Sequence, residues 1–275
     1  MRDKLIKDSL LRLVHGLGVD VVKRTNYIEI SALIHALHPR DSGIDLIRLG
    51  PDGDGGYLIP DDLSGIEYGF SPGVSTESDF EVDLAKKGLK VYLADYSVDS
   101  AASNDSNLFF DKKFVGSLSN REFMTLDEWK NKKIPDYSGD LILQMDIEGA
   151  EFEAIMSVSA SLLSQFRIMV IEFHFLQELF NRPYFDLSSR VFRKILQSHS
   201  VVHIHPNNCC GSVKVPKQWT HGNRTECLEI PRVSEFTFYR NDRIKKKSYC
   251  RVFPHSLDQD NTSKPSLALP HCWHR

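Results

Sequence analysis

The stretch Leu141–Glu153, Leu-Ile-Leu-Gln-Met-Asp-Ile-Glu-Gly-Ala-Glu-Phe-Glu, narrows the possible folds more than any other part of the chain. It opens as a short apolar run, the pattern of a strand buried on both faces of a parallel sheet. Asp146 and Glu148 follow at once, Gly149 permits a tight turn, and Ala150 to Ser157 carries helical spacing. A buried strand, carboxylates at its C-terminal tip and an immediate helix make a βα unit. In open α/β sheets ligands collect outside that edge. The stretch therefore predicts a parallel sheet with a site at the mouth of this strand.

Upstream, Ile66–Gly73 reads as a strand running into a glycine turn, Ser78 to Lys87 as a helix, and Leu89–Ala94 as a strand with Asp95 at its tip. Strand, glycine loop, helix, strand and acidic tip form the nucleotide-binding half of a Rossmann-like sheet. The glycines let backbone approach a ligand, and the acid accepts hydrogen bonds from ribose hydroxyls. The loop lacks Gly-x-Gly-x-x-Gly, which disfavours a dinucleotide. Before it, Gly50 to Gly56 packs four glycines and two aspartates between Ile47 and Pro60. Such a segment is irregular. It reads either as a hairpin loop or as a loop lying against a ligand. Ser100 to Asp111 reads as a loop, Lys113–Gly116 as a short third strand, and Thr125 with Glu128 as a capping box opening a helix.

Downstream, two more strands end in polar tips. Phe166–His174 puts Glu172 and His174 on one face, and Val201–Asn208 does the same with His203 and His205. Phe185 to Ser198 between them is an amphipathic helix, and Arg232–Arg240 alternates as a late strand. Residues 1 to about 38 read as helical, with Leu5, Leu10, Leu11, Leu13 and Val14 on one side and Ile28–Leu37 as a second segment, a cap or an oligomer contact. Pro254–Arg275 reads as an extended tail over a surface or as a disordered one. The organisation expected is a helical extension over 1–44 and one α/β domain over 45–275.

Three strand tips thus gather carboxylates and imidazoles, and buried charges are costly unless paired or metal-bound. Two chemistries fit. An imidazole, His174 or His205, takes a proton from a substrate hydroxyl as general base. Alternatively Asp146, Glu172 and His205 hold magnesium or manganese, which binds vicinal hydroxyls and acidifies one. The two can coexist, and spacing does not assign each residue.

With a net charge of −3 the chain has no global attraction for nucleic acid. The basic run Arg243–Lys247 reads as a solvated turn. No apolar stretch approaches the roughly 20 residues of a membrane span. The charged start has no apolar signal core after it, so no secretory leader is expected. The five cysteines form no Cys-x-x-Cys pair and suit a reducing, cytoplasmic compartment without a zinc knuckle.

The chain resembles the FkbM-type S-adenosylmethionine-dependent methyltransferases. Met-Asp-Ile-Glu-Gly-Ala-Glu (145–151), Val-Ile-Glu-Phe-His (170–174) and Tyr-Gly-Phe-Ser-Pro-Gly (68–73) carry the resemblance. Tyr57 behind its glycines, His-Ile-His-Pro-Asn-Asn (203–208) and Phe-Pro-His-Ser-Leu-Asp (253–258) are similar to one branch of that family. The glycine loop departs from the family's usual acidic-x-Gly-x-Gly. The resemblance covers about 45–275. It implies a class I methyltransferase fold, a seven-stranded mostly parallel sheet with residues 233–239 as the late antiparallel strand. It implies S-adenosylmethionine against Tyr57, Gly69, Phe70, Ser71 and Gly73, ribose on Asp95, and Asp146 where methyl donor and acceptor meet. The activity it implies is O-methylation of a sugar, nucleotide-activated or in a polysaccharide or glycolipid precursor. The rivals are a non-catalytic sugar-binding module on the same fold and a nicotinamide-dependent sugar oxidoreductase. The absence of a clear Tyr-x-x-x-Lys pair and the short glycine loop disfavour the second.

Overall fold

The computed structural model describes residues 11–216 and 227–275. Leu5 and Leu10, expected on the first apolar face, lie outside them. Residues 11–16 are helical, and extended chain leads to α1 (Tyr27–Ala36). Asn26 caps that helix by accepting the Ile28 amide at 2.8 Å. The strands are β1 (Leu46–Leu49), β2 (Tyr57–Pro60), β3 (Tyr68–Pro72), β4 (Lys90–Ala94), β5 (Leu108–Asp111), β6 (Phe114–Val115) and β7 (Phe123–Met124), then β8 (Leu141–Met145), β9 (Phe166–Phe173), β10 (His199–Pro206), β11 (Ser212–Pro216), β12 (Cys227–Pro231) and β13 (Ser234–Arg240). The further helices are α2 (Asp79–Lys86), α3 (Leu126–Lys133), α4 (Glu151–Ser157), α5 (Ala160–Gln165) and α6 (Arg182–Ile195).

Seven strands form one sheet in the order β10-β13-β9-β8-β3-β4-β5. Pairings from β5 to β9 are parallel, and β13 inserts antiparallel between β9 and β10. This mixed α/β arrangement is the seven-stranded, mostly parallel sheet of the class I methyltransferase fold. The apolar runs explain its centre: every residue of β8 and β9 is buried. Arg167 is tolerated within β9 because Asp140 accepts from its Nε at 2.7 Å and the Asp62 carbonyl from its Nη1 at 2.9 Å.

The sheet separates two apolar layers. On one side α1, α3, α4, α5 and α6 pack Leu33, Trp129, Phe152, Leu163 and Phe192 against Phe70, Met169 and Phe236. On the other, α2 and the β1–β2 hairpin bring Phe80, Leu84, Tyr57 and Ile59 onto Val91, Ile142 and Val170. Residues 50–56 are therefore the loop of an antiparallel hairpin. Arg48 braces that loop, donating to the carbonyls of Pro51 and Gly53 at 2.8 and 2.7 Å.

Some local readings shift. The third strand of the sheet is Leu108–Asp111, inside the segment read as a loop, while Phe114–Val115 joins a separate pairing with Phe123–Met124. An edge strand of four residues, half-exposed, leaves little periodic signal. Thr125 does cap α3, accepting the Glu128 amide at 3.2 Å, but the Glu128 carboxylate takes the Ser119 hydroxyl instead of closing a box. In the basic run, Arg243 pairs with Asp62 and Lys246 with Asp41. Among the described residues no helix is long and apolar enough to cross a membrane.

Candidate active site

A cavity of about 680 Å³ opens where β3, β4 and β8 end. Its walls include Asp54 and Tyr57 from the hairpin, Ser75 and Glu81 from the β3–α2 connection and helix, Asp95 beyond β4, Gln144 on β8 and Asp146 just beyond it. The crossover at Gly73 creates the opening. Gly73 has φ +88°, and a Cβ there would lie 1.5 Å from the Asp146 carbonyl oxygen. Only glycine lets the chain turn away from β3 so close to β8.

Asp95 is buried and prearranged. Its carboxylate accepts the Ser75 amide at 3.0 Å and the Ser97 amide and hydroxyl at 2.7 and 2.6 Å. A carboxylate has about four acceptor sites, so capacity remains for a ligand hydroxyl. Apolar Phe114, Val115, Phe123 and Ile147 line the same cavity. An acid at the β4 tip beside an apolar slot fits a nucleoside.

A buried polar row runs along the wall. The Ser71 hydroxyl oxygen lies 2.5 Å from Glu81 Oε1 and 2.6 Å from Gln144 Oε1, and Gln144 Nε2 donates to Tyr57 Oη at 3.2 Å. Burial pushes the Glu81 carboxyl up to about 7 and the Tyr57 phenol well above its ordinary value.

His174 stands behind the cavity wall, next to Asp146 and Glu148, which line it. Glu151, wholly buried at the start of α4, sits 3.1 Å from His174 Nδ1 with its Oε1. The same oxygen accepts the amides of Ile147 and Gly149 at 3.2 and 2.9 Å, so it fastens the turn as well as the ring. The other ring nitrogen, Nε2, lies 3.4 Å from Glu148 and 3.9 Å from Asp146. Burial lowers the His174 pKa, but the hydrogen bond and charge of Glu151, with Asp146 and Glu148, outweigh it and raise the pKa above its ordinary value. Burial drives Asp146 up to about 7 against the pull of His174. The turn is strained: Glu148 has φ +56° and Phe175 φ +57°, left-handed conformations that cost non-glycine residues of the order of 1–3 kcal/mol. Gly149, at φ +109°, makes room for the Phe175 ring, whose nearest carbon would be 2.4 Å from a Cβ.

The remaining strand tips form a second group. Glu172 on β9 is in register with Glu235 on β13, and Glu235 with His205 on β10. Burial raises both carboxyls, and Asp146 and Glu235 add to the rise at Glu172. Asn207 donates to Glu172 at 2.9 Å, and Asn261 donates to Glu235 at 2.8 Å and to Asp54 at 3.0 Å. The tail seals this group from above. Asp258 lies 2.8 Å from His203 Nε2 and 3.7 Å from His205 Nδ1. Burial alone would raise the Asp258 carboxyl, but the two imidazoles hold it far below its ordinary range.

Of the expected cofactor residues, Tyr57, Gly73, Asp95 and Asp146 line the cavity. Ser71 lies just behind it, within the polar row. Gly69 sits inside the sheet between Ile142 and Val91, and Phe70 packs on Tyr92 and Trp129, both below the cavity. The expected metal set of Asp146, Glu172 and His205 does not assemble, because Glu235 stands in register between the last two. Among the described residues the grouping able to hold an ion is Asp146, Glu148 and His174, with ligand atoms within 4.8 Å of one another. His174 and His205, both candidate bases, fall in different surroundings. Sequence reasoning missed Glu81 and Glu151 as site residues. Helical spacing carried a signal for Glu81, which shares a face with Leu84 and Ala85.

Residues 66–199 match the family model of the methyltransferase FkbM domain. No curated protein matches the chain. Solved structures similar to it include the precorrin-6y C5,15-methyltransferase of Geobacter metallireducens GS-15, at 10% identity over 65% of this chain and 83% of that one, TM-score 0.32. Another is the N-methyltransferase NodS of Bradyrhizobium japonicum WM9, at 11% identity over 65% and 88%, TM-score 0.32.

Proposed function

We propose that this chain, an S-adenosylmethionine-dependent methyltransferase by its FkbM domain over residues 66–199, methylates a hydroxyl oxygen of a sugar. The observation that carries the reading is His174, backed by Glu151 at 3.1 Å, with its Nε2 facing Asp146 and Glu148 of the cavity wall. S-Adenosylmethionine, when bound, supplies an electrophilic sulfonium methyl. The residues fit it: Asp95 with spare acceptor capacity suits the ribose, and the apolar slot suits the adenine.

A hydroxyl must lose its proton as it is methylated, and His174 Nε2 would receive it. Glu151 accepts from Nδ1–H, which leaves Nε2 as the basic nitrogen and stabilises the imidazolium that forms. Asp146, between cavity and imidazole, orients the acceptor hydroxyl. Alignment and exclusion of water would supply much of the rate. A sugar acceptor is supported by the turn beside the cavity. Phe175 is half-exposed, a flat apolar face for the C–H side of a pyranose, and Glu148 is an exposed acceptor for its hydroxyls.

A second reading adds a divalent cation. Asp146 Oδ1 is buried without a hydrogen-bond partner, in the one grouping able to hold an ion among the described residues. Its oxygens and imidazole suit magnesium or manganese. Such an ion would acidify the acceptor hydroxyl, with His174 as a ligand. The reaction is proposed for the cytoplasm, which the five unpaired cysteines support. Exposed Leu13, Leu17 and Val21 support a contact between copies through the N-terminal segment.

The test is transfer of labelled methyl from S-adenosylmethionine to a panel of nucleotide-activated sugars, with and without manganese. Label in an alkali-stable sugar ether is expected. Label on nitrogen or carbon would overturn the oxygen assignment. No binding of S-adenosylmethionine and no transfer to any sugar would favour the non-catalytic sugar-binding module.

A further inference from the structure

Counted back from Gly73 at the cavity, the usual acidic-x-Gly-x-Gly pattern would put an acid at 69 and a glycine at 71, where Gly69 and Ser71 stand instead. An acid reaches the same place from α2. Glu81 lines the cavity, is 4% exposed, and meets the Ser71 hydroxyl at 2.5 Å. Among the described residues it has no ion pair. Its hydrogen-bond partner is a neutral hydroxyl, and its neighbours Glu77 and Asp79 are themselves acidic. A carboxylate buried without a counter-charge is unstable, so its position on a cavity wall calls for a cationic ligand.

The proton count agrees. Ser71 has one hydroxyl hydrogen and two acceptors, Glu81 Oε1 and Gln144 Oε1, at 2.5 and 2.6 Å. If Glu81 carries a proton, it donates to Ser71, Ser71 donates to Gln144, and Gln144 donates to Tyr57, with every group satisfied. The row is complete when Glu81 is neutral, and a cation in the cavity would turn Glu81 into a carboxylate.

We propose that Glu81 is the counter-ion for the α-ammonium group of S-adenosylmethionine, doing from the helix what the missing loop acid would do. The assignment rests on the cofactor reading above. It also fixes the cofactor's direction. Asp95, at the β4 tip, takes the ribose, so the amino-acid end lies under Tyr57 and Gln144, towards the hairpin.

Calorimetry of wild type and Glu81→Gln with three ligands tests this. S-Adenosylmethionine and S-adenosylhomocysteine both carry the ammonium, while 5′-methylthioadenosine lacks it. Glu81→Gln mimics the protonated acid and keeps the hydrogen-bonded row. It should weaken the first two ligands by tenfold or more and leave the third unchanged. Unchanged binding of all three would overturn the assignment. Loss confined to S-adenosylmethionine would also overturn it, by placing the sulfonium there instead. Equal loss of all three would reduce Glu81 to a structural role. Failure of wild type to bind S-adenosylmethionine would sink the cofactor reading itself, a result separable from any of these.

Discussion

His174 and His205 look alike in sequence and differ in the fold. Each follows two residues behind another polar residue at the end of an apolar strand. His174 lies behind the cavity wall, beside Asp146 and Glu148, the latter 86% exposed. His205 lies beneath the tail, with Asp258 at 3.7 Å and Glu235 in register beside it. The difference is set by what covers each strand end. Beside His174, the turn at residues 146–149 faces the cavity, which Asp146, Ile147 and Glu148 line. Over β10 runs the tail, pinned where the Asn208 side chain donates to the Lys264 carbonyl at 2.8 Å and accepts the Thr262 amide at 2.9 Å. The two imidazoles are about equally buried, 12% and 10% exposed, so what makes His174 the reactive candidate is that its carboxylate neighbours line a cavity.

The strongest way to break this contrast is to exchange the losses. His174→Ala should lower turnover by about 10²–10⁴-fold, the usual contribution of a general base, with cofactor affinity retained. His205→Ala should stay within about tenfold of wild type in turnover. Steady-state rates with an acceptor from the sugar panel, beside calorimetry, decide it. Comparable turnover losses in both variants would erase the distinction.

The sealed side should answer instead in stability. Asp258 is buried against two imidazoles, so Asp258→Asn should cost about 3–5 kcal/mol, the range for breaking a buried pair. The signs follow from the shifts. The Asp258 carboxyl is depressed, so its contribution is present above the ordinary carboxylate range and lost as pH falls. Burial lowers the His205 pKa, but Asp258 and Glu235 raise it overall. Its contribution is present below about pH 6.5 and lost as pH rises through the folded value. The closure should therefore be strongest between about pH 4 and 6.5. Denaturant unfolding across that range, with and without Asp258→Asn, reads this directly, and a flat difference would count against it.

The smallest effect belongs to the open side. The Glu81 carboxyl is raised to about 7 by burial, so its neutral form stabilises the fold at acidic pH, and that contribution is lost as pH rises from its unfolded value to about 7. Glu81→Gln should then be more stable than wild type at pH 8 by up to about 3 kcal/mol, with the gain gone near pH 4. Thermal unfolding at the two pH values measures it. Equal stability at both would mean that Glu81 already has a counter-charge.

Much of the fold was legible because buried parallel strands announce themselves. Leu141–Met145 and Phe166–Phe173 are nearly pure apolar runs, and Asp95 and Asp146 stand where strand ends place them. The edge strand Leu108–Asp111 was hidden because two of its four residues are Phe with only partial burial and its flanks are polar. The β11–β12 hairpin gave equally little. Glu151 was in plain view in the sequence. An acid in the first turn of a helix has an ordinary explanation in the helix dipole, and nothing local reveals that its oxygens face a histidine 23 residues away. The separation of Glu172 from His174 was illegible for a similar reason. It depends on β13, which is contributed from more than 60 residues further along the chain.

That insertion also imposes an order in time. β9 and β10 follow each other along the chain but are not neighbours in the sheet, because β13 occupies the place between them. During synthesis from the N-terminus, β10 emerges before it has a partner, and β9 has an unpaired apolar edge until residues 234–240 leave the ribosome. Pairings that wait on distant sequence are slow and leave edges exposed to other chains. The nascent chain thus carries its greatest risk of aggregation after the parallel strands from β3 to β9 have emerged and before its last strand arrives.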